Sequence, residues 1–200
     1  MKYLFVAILA LGASPVMAAG PTQDWPCVQV LQPKLSLGSM WSAPGLDDDA
    51  AELARTDQVI RGTADRIAQR RTSLDQAGEV IDAFAEDADT QRLAALFLAV
   101  FQRIDTERAA LLTGISRYGH GQGKLADRIE ERRVKMSDME AATEPDFDAI
   151  DAEEVGLDWD VRIFEERRQM LRAVCESPVL LERRLYEIGK LIQAKLPETE

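Results

Sequence analysis

Apolar side chains recur at three- and four-residue intervals from Asp47 almost to the end of this chain, which is the repeat of amphipathic helices rather than of strands. Leu53, Val59, Ile60, Ala64 and Ile67 follow Asp47, Asp48 and Asp49, whose negative charge suits a helix N-terminus; together they predict one helix to about Arg71. Thr72 and Ser73 open a shorter helix with Val80, Ile81 and Phe84 on its apolar side. The clearest stripe begins at Asp89 or Thr90. Leu93, Phe97, Val100, Ile104 and Leu111, widened by Leu96, Leu98, Phe101, Leu112 and Ile115, predict the most buried helix, reaching about Tyr118. Gly119, Gly121 and Gly123 read as its breaker. A further helix over roughly 124–142 carries Leu125, Ile129, Met136 and Met139 and stops before Pro145. After an acidic stretch over 146–158, Trp159, Ile163, Phe164, Met170, Leu171 and Val174 mark a helix ending near Cys175. Ser177 and Pro178 fit the N-cap and first position of the last helix, whose Leu181, Leu185, Ile188 and Ile192 run on to about Leu196. No alternating run of β-branched or aromatic residues follows residue 46. The expected fold is all-α, an antiparallel bundle of five or six helices.

Residues 19–46 break that pattern. Pro21, Pro26, Pro33 and Pro44 forbid a long helix, because each removes a backbone donor and restricts the residue before it. Yet Trp25, Val28, Val30, Leu31, Leu35, Leu37, Met40, Trp41 and Leu46 are too much apolar surface to leave in water. An extended N-terminal arm packed on the body is expected, with Trp25, Met40 and Trp41 as candidate anchoring or partner-docking residues. Ahead of it, Lys2, the apolar run from Tyr3 to Ala10 and the Val16-Met17-Ala18 end have the build of a secretory signal peptide cut after Ala18. The organisation is therefore 1–18 signal peptide, 19–46 arm and 47–200 helical domain, with no membrane span in the mature chain.

Two cysteines, Cys27 and Cys175, lie beyond the export segment, in a chain bound for an oxidising compartment. One intramolecular pairing is available to them, a Cys27–Cys175 bridge that clips the arm to the body; an intermolecular bridge or two free thiols are the alternatives. A redox catalyst would instead want a second cysteine close to Cys27, and Cys27-Val28-Gln29-Val30 offers none.

Formal charge is -11, and -12 once Lys2 leaves with the signal peptide. Such a surface repels phosphate backbones and anionic lipid, which argues against nucleic-acid and electrostatic membrane binding. Candidate chemistry is sparse. His120 is the only histidine, set between glycines at an expected exposed turn, and it has neither a nucleophile motif nor companion ligands. The acidic run from Asp146 to Glu154 lacks the glycine and glutamate of a helix-loop-helix calcium site, having Asp151 and Leu157 there. Arg pairs at 70 and 71, 132 and 133, 167 and 168, and 183 and 184 could line an anion site, although adjacent helical residues point about 100° apart. Met136 and Met139 are spaced as core residues.

DWPCVQ, followed by Pro33, Leu35, Ser36, Met40 and Trp41, resembles the mature N-terminus of small secreted helical proteins of Gram-negative bacteria, as does LLTGISRY at 111–118. No activity is assigned to that group. The resemblance implies a periplasmic helical protein and transfers no site residues. The functional expectation is a non-enzymatic periplasmic protein-binding or scaffold protein whose partner is another periplasmic or envelope protein. No catalytic residue, metal site or cofactor is expected. A binder of a small anionic ligand or metal ion between helices is the alternative.

Overall fold

A computed structural model describes residues 25–197; the expected signal peptide and the first residues of the arm, 19–24, lie outside the described residues. The protein is all-α. Its elements are α1 (Leu37–Met40), α2 (Asp48–Thr56), α3 (Gln58–Ala68), α4 (Leu74–Ala85), α5 (Thr90–Glu140) and α6 (Phe147–Gln193). No β-strand occurs among the described residues.

The starts of these helices follow the side chains that cap them. Asp47 accepts from the Ala50 amide at 2.9 Å, and Asp89 from that of Arg92 at 2.8 Å. Ser73 and Gln76 form a reciprocal capping box. The single helix expected over 47–71 is instead two. Asp57 takes extended backbone angles, ends α2, and accepts from the amides of Val59 and Ile60 to begin α3. Those amides, Ile60 first, hold its carboxyl below the usual carboxylate range against a smaller opposing effect of burial, and Arg92 Nη1 bonds it at 3.0 Å. A short polar side chain that satisfies orphan donors thus outcompetes one more helical turn.

Two expected breaks are absent. Gly119, Gly121 and Gly123 lie within α5, and Pro178 lies within α6. Each glycine disfavours helix by about 1 kcal/mol relative to alanine, and an interior proline by about 3 kcal/mol. Packing overrides both. Gly119 and Gln122 are buried between the layers of Leu112 and Ile115 on one side and Leu125 and Ile129 on the other, and Gln122 Nε2 donates to the Phe164 carbonyl at 3.2 Å. Pro178 is buried, and beside it Ser177 Oγ donates to the Ala173 carbonyl at 3.4 Å. His120, expected in a turn, is accordingly an exposed helical residue.

At about 1.5 Å per residue, α5 and α6 are roughly 75 and 70 Å long. They run in opposite directions as one hairpin. Going outward, Phe97 lies against Gly189, Arg108 bonds Glu182, Tyr118 Oη donates to the Arg167 carbonyl, and Arg128 bonds Asp160, a register kept without slip. Arg108, Ile115, Gln122 and Ile129 recur every seven residues on the facing side of α5. Helices α2 and α3 pack on α5 and α4 on α6, all at the end of the hairpin where Leu93 to Val100 are buried without interruption and meet Leu181, Leu185, Ile188 and Ile192. There Arg184 donates to the carbonyls of Ile67, Ala68 and Thr72 at 2.6–3.1 Å, satisfying the C-terminal end of α3; burial lowers its pKa.

Residues 25–46 run along this frame. Cys27 and Cys175 form a disulfide with their Cα atoms 5.7 Å apart. Trp25, Cys27, Cys175, Leu112 and Ile115 make a small second cluster. Farther along, buried Arg108 donates through Nη2 to the Gln32 carbonyl at 2.7 Å, Trp41 stacks on Phe97 at 4.6 Å between ring centroids, and Ser42 bonds Gln193. Burial is selective, contrary to the expectation for the whole segment: Val28 is 88% exposed, and Val30 is also open to solvent. The Trp25 indole N–H closes a tight turn onto the Gln29 carbonyl at 2.6 Å, and Val28 stands on the outside of that turn.

Candidate functional site

The outer part of the α5–α6 hairpin lies beyond both apolar clusters, and its described ion pairs are made between its own two helices or within one of them. Glu144 and Pro145 end the connection, and Asp146 starts α6 by accepting from the Ala149 amide at 3.1 Å. Here the seam changes from apolar to ionic. Arg128 grips Asp160 with Nε at 2.8 Å and Nη2 at 2.5 Å, a two-pronged pair, and Arg132 Nε reaches the same carboxylate at 3.0 Å. Arg132 Nη1 also bonds Glu153 at 2.7 Å, and Lys135 Nζ meets the other oxygen of Glu153 at 2.8 Å.

These cations shift the carboxylates in one direction. The Arg128 hydrogen bond is the largest influence on Asp160 and holds it below its ordinary value; burial, which opposes this, is smaller. Glu153 is lowered chiefly by the Lys135 hydrogen bond. Asp160, in turn, raises Arg128. Asp160 is 7% exposed and bonded on both oxygens, so this network ties α5 to α6 at one register.

The other side of α6 is the reverse of what its apolar pattern predicts. Trp159 and Met170 were expected on the buried side, yet Trp159 is 58% exposed and Met170 lies open too. Phe147 is 72% and Val155 61% exposed. At 100° per residue, Phe147, Val155 and Trp159 fall within about 120° of arc, opposite the seam side that bears Glu153, Leu157, Asp160 and Phe164. The guanidinium of Arg162 sits 5.4 Å over the Trp159 ring. Counting back by three and four from Leu171 and Phe164 would have placed Asp160 on the seam and Trp159 outside it.

The residues singled out from the sequence have other places. Trp25 and Trp41 are buried, and Met40 is half-buried beside Gly189. The Arg pairs do not converge. Arg70 lies near Glu107, Arg71 bonds Gln69, Arg132 faces the seam while Arg133 approaches Glu130, Arg168 pairs with Glu165, and Arg184 caps α3. Met136 and Met139 are half-buried and belong to neither apolar cluster, because the seam at their level is ionic. Within the acidic run, Asp146 caps α6 and Glu153 pairs with cations; no group of three or more metal-ligating side chains is assembled among the described residues. Nor is any helix among them long and apolar enough to cross a membrane. In comparison with known proteins, no family model, no curated sequence and no solved structure matches the chain.

Proposed function

We propose that this chain is an exported, non-enzymatic scaffold that docks another protein on the outer face of α6, near the turn of its long hairpin. The observation carrying this reading is the stripe of Phe147, Val155 and Trp159, three large apolar side chains more than half exposed on a part of the hairpin that contributes to neither core cluster. Exposed aromatics on a preorganised helix are the usual anchors of protein recognition. The ionic seam behind them supports the reading, since it orders α6 without using that face. In this account the remainder of the chain is the frame: an antiparallel bundle strapped by its N-terminal arm and clipped by the disulfide.

Export fits the signal-like residues 1–18 and the disulfide, which persists in an oxidising space such as the periplasm. The partner is then a periplasmic or envelope protein. The test is crosslinking capture in the periplasm with the wild-type chain and with a Phe147→Ser, Trp159→Ser variant. A protein retained by the first and lost by the second supports the proposal; an identical set of captured proteins overturns it.

A further inference from the structure

The charge around the exposed stripe identifies the chemistry of its occupant, taking the docking face proposed above as given. From Lys135 to Arg162 the chain has no intervening lysine or arginine, and it has ten carboxylates. Only Glu153 and Asp160 among these are ion-paired in the described structure. Asp148, Asp151 and Asp158 are exposed and fall on the same arc of α6 as Phe147, Val155 and Trp159, so the apolar stripe is interleaved with negative charge. From Phe147 to Trp159 is about 18 Å along the axis, the length of three to four turns of a partner helix.

A second copy of this chain would bring one acidic stripe against another, and like charges brought together across an interface cost several kcal/mol. Anionic lipid and nucleic acid are repelled for the same reason. A segment combining apolar side chains with lysines or arginines is attracted by both components of the stripe. We propose that the outer face of α6 receives a basic amphipathic helix of a partner protein. Its apolar side lies on Phe147, Val155 and Trp159, and its cations meet Asp148, Asp151 and Asp158. Arg162, stacked on Trp159, closes the stripe toward the core and leaves the acidic end open to the incoming charges.

The experiment uses the full disulfide-bonded chain and three labelled 14-residue peptides: an amphipathic Lys/Leu helix, its Glu/Leu counterpart, and a Lys/Ser peptide of equal charge. Fluorescence anisotropy should show the Lys/Leu peptide binding at least tenfold more tightly than either of the others. Phe147→Ser with Trp159→Ser should weaken the Lys/Leu complex at least tenfold and leave the weak Lys/Ser binding unchanged. Asp148→Asn, Asp151→Asn and Asp158→Asn together should weaken it to a similar extent and flatten its salt dependence. All these positions are exposed, and circular dichroism checks that the variants keep their helix content. Binding of the Glu/Leu peptide that depends on Phe147 and Trp159 would overturn the basic partner while leaving the docking face standing. Peptide binding indifferent to Phe147 and Trp159, or none at all, would overturn the basic partner and remove the support for that face.

Discussion

The Arg132 guanidinium lies across Gly156: a Cβ built on Gly156 would sit 2.5 Å from Arg132 Nη1 and 3.0 Å from Cζ. The arginine crosses there to reach Glu153 and Asp160, one turn either side of the glycine on α6. Gly156 is thus the passage through which α5 hands its charge to α6. Alanine is normally favoured over glycine inside a helix by about 1 kcal/mol. Gly156→Ala should therefore stabilise the chain by about that amount in an Arg132→Ala background, whereas in the wild-type background the gain should vanish or reverse. Urea unfolding of the four chains of this cycle measures the coupling directly, and equal effects in the two backgrounds would rule out the close approach.

Acid should loosen this part of the hairpin. Asp160 and Glu153 both have folded pKa values below their ordinary 3.8 and 4.5, so their pairs stabilise the folded state fully above those values. That stability is lost as pH falls through the lowered folded values, because the unfolded chain then binds more protons than the folded one. Asp160→Asn removes one of these groups. Its stability, followed by thermal unfolding between pH 2 and 6, should lie below wild type at pH 6 and decline less steeply toward pH 2. Parallel curves would mean that Asp160 is not stabilised as a carboxylate.

The same seam explains what could and could not be foreseen from the residues. Caps such as Asp47, Ser73 and Asp89 act locally through a side chain on a nearby amide, and those helix starts were legible. So was the disulfide, since a chain with two cysteines has one intramolecular pairing available. Breakers are different, because whether glycine or proline ends a helix depends on burial several turns away. The seven-residue recurrence of Arg108, Ile115, Gln122 and Ile129 runs straight through the glycines, and it was obscured because two of its four members are polar. Polarity at the seam also masked the exposed stripe of α6. The apolar spacing groups Trp159 with Ile163 and Phe164 and passes over Asp160, whereas pairing with Arg128 and Arg132 lets the aspartate be buried and leaves the tryptophan facing outward.

Loss of the disulfide should cost stability without dissolving the helices. Cys27 and Cys175 are 148 residues apart, and the chain-entropy account gives a bridge closing such a loop about 5 kcal/mol as an upper value. The helices have their own core around Phe97, Leu185 and Ile188, so a Cys27→Ser, Cys175→Ser chain should retain its far-ultraviolet circular dichroism while its denaturant midpoint falls clearly. Trp25 shares the small cluster with the bridge and should become more accessible to a fluorescence quencher. An unchanged midpoint would show that the segment is held by its other contacts alone, among them those of Arg108 with Gln32, Trp41 with Phe97 and Ser42 with Gln193.

Those other contacts have their own weak point at Gly189. A Cβ there would sit 3.0 Å from the Met40 carbonyl oxygen and 3.1 Å from Phe97 Cε2, so a backbone and an aromatic ring press on the same spot. Neither is the free end of a flexible chain. The Phe97 ring is fully buried under Trp41, and Met40 is the last residue of α1. Gly189→Ala should therefore push α1 away from α6, and the cost of overpacking, about 1–3 kcal/mol, should exceed the roughly 1 kcal/mol of helix propensity gained. The Trp41 and Ser42 contacts would loosen with it, and residues 37–42 should exchange their amide hydrogens faster than in wild type while the Cys27 end stays protected. Gly78 is the control: it lies inside α4 with nothing within 4 Å of an added Cβ, and Gly78→Ala should stabilise. If both substitutions stabilise alike, residues 37–42 do not pack on α6 as closely as the 3.0 Å approach requires.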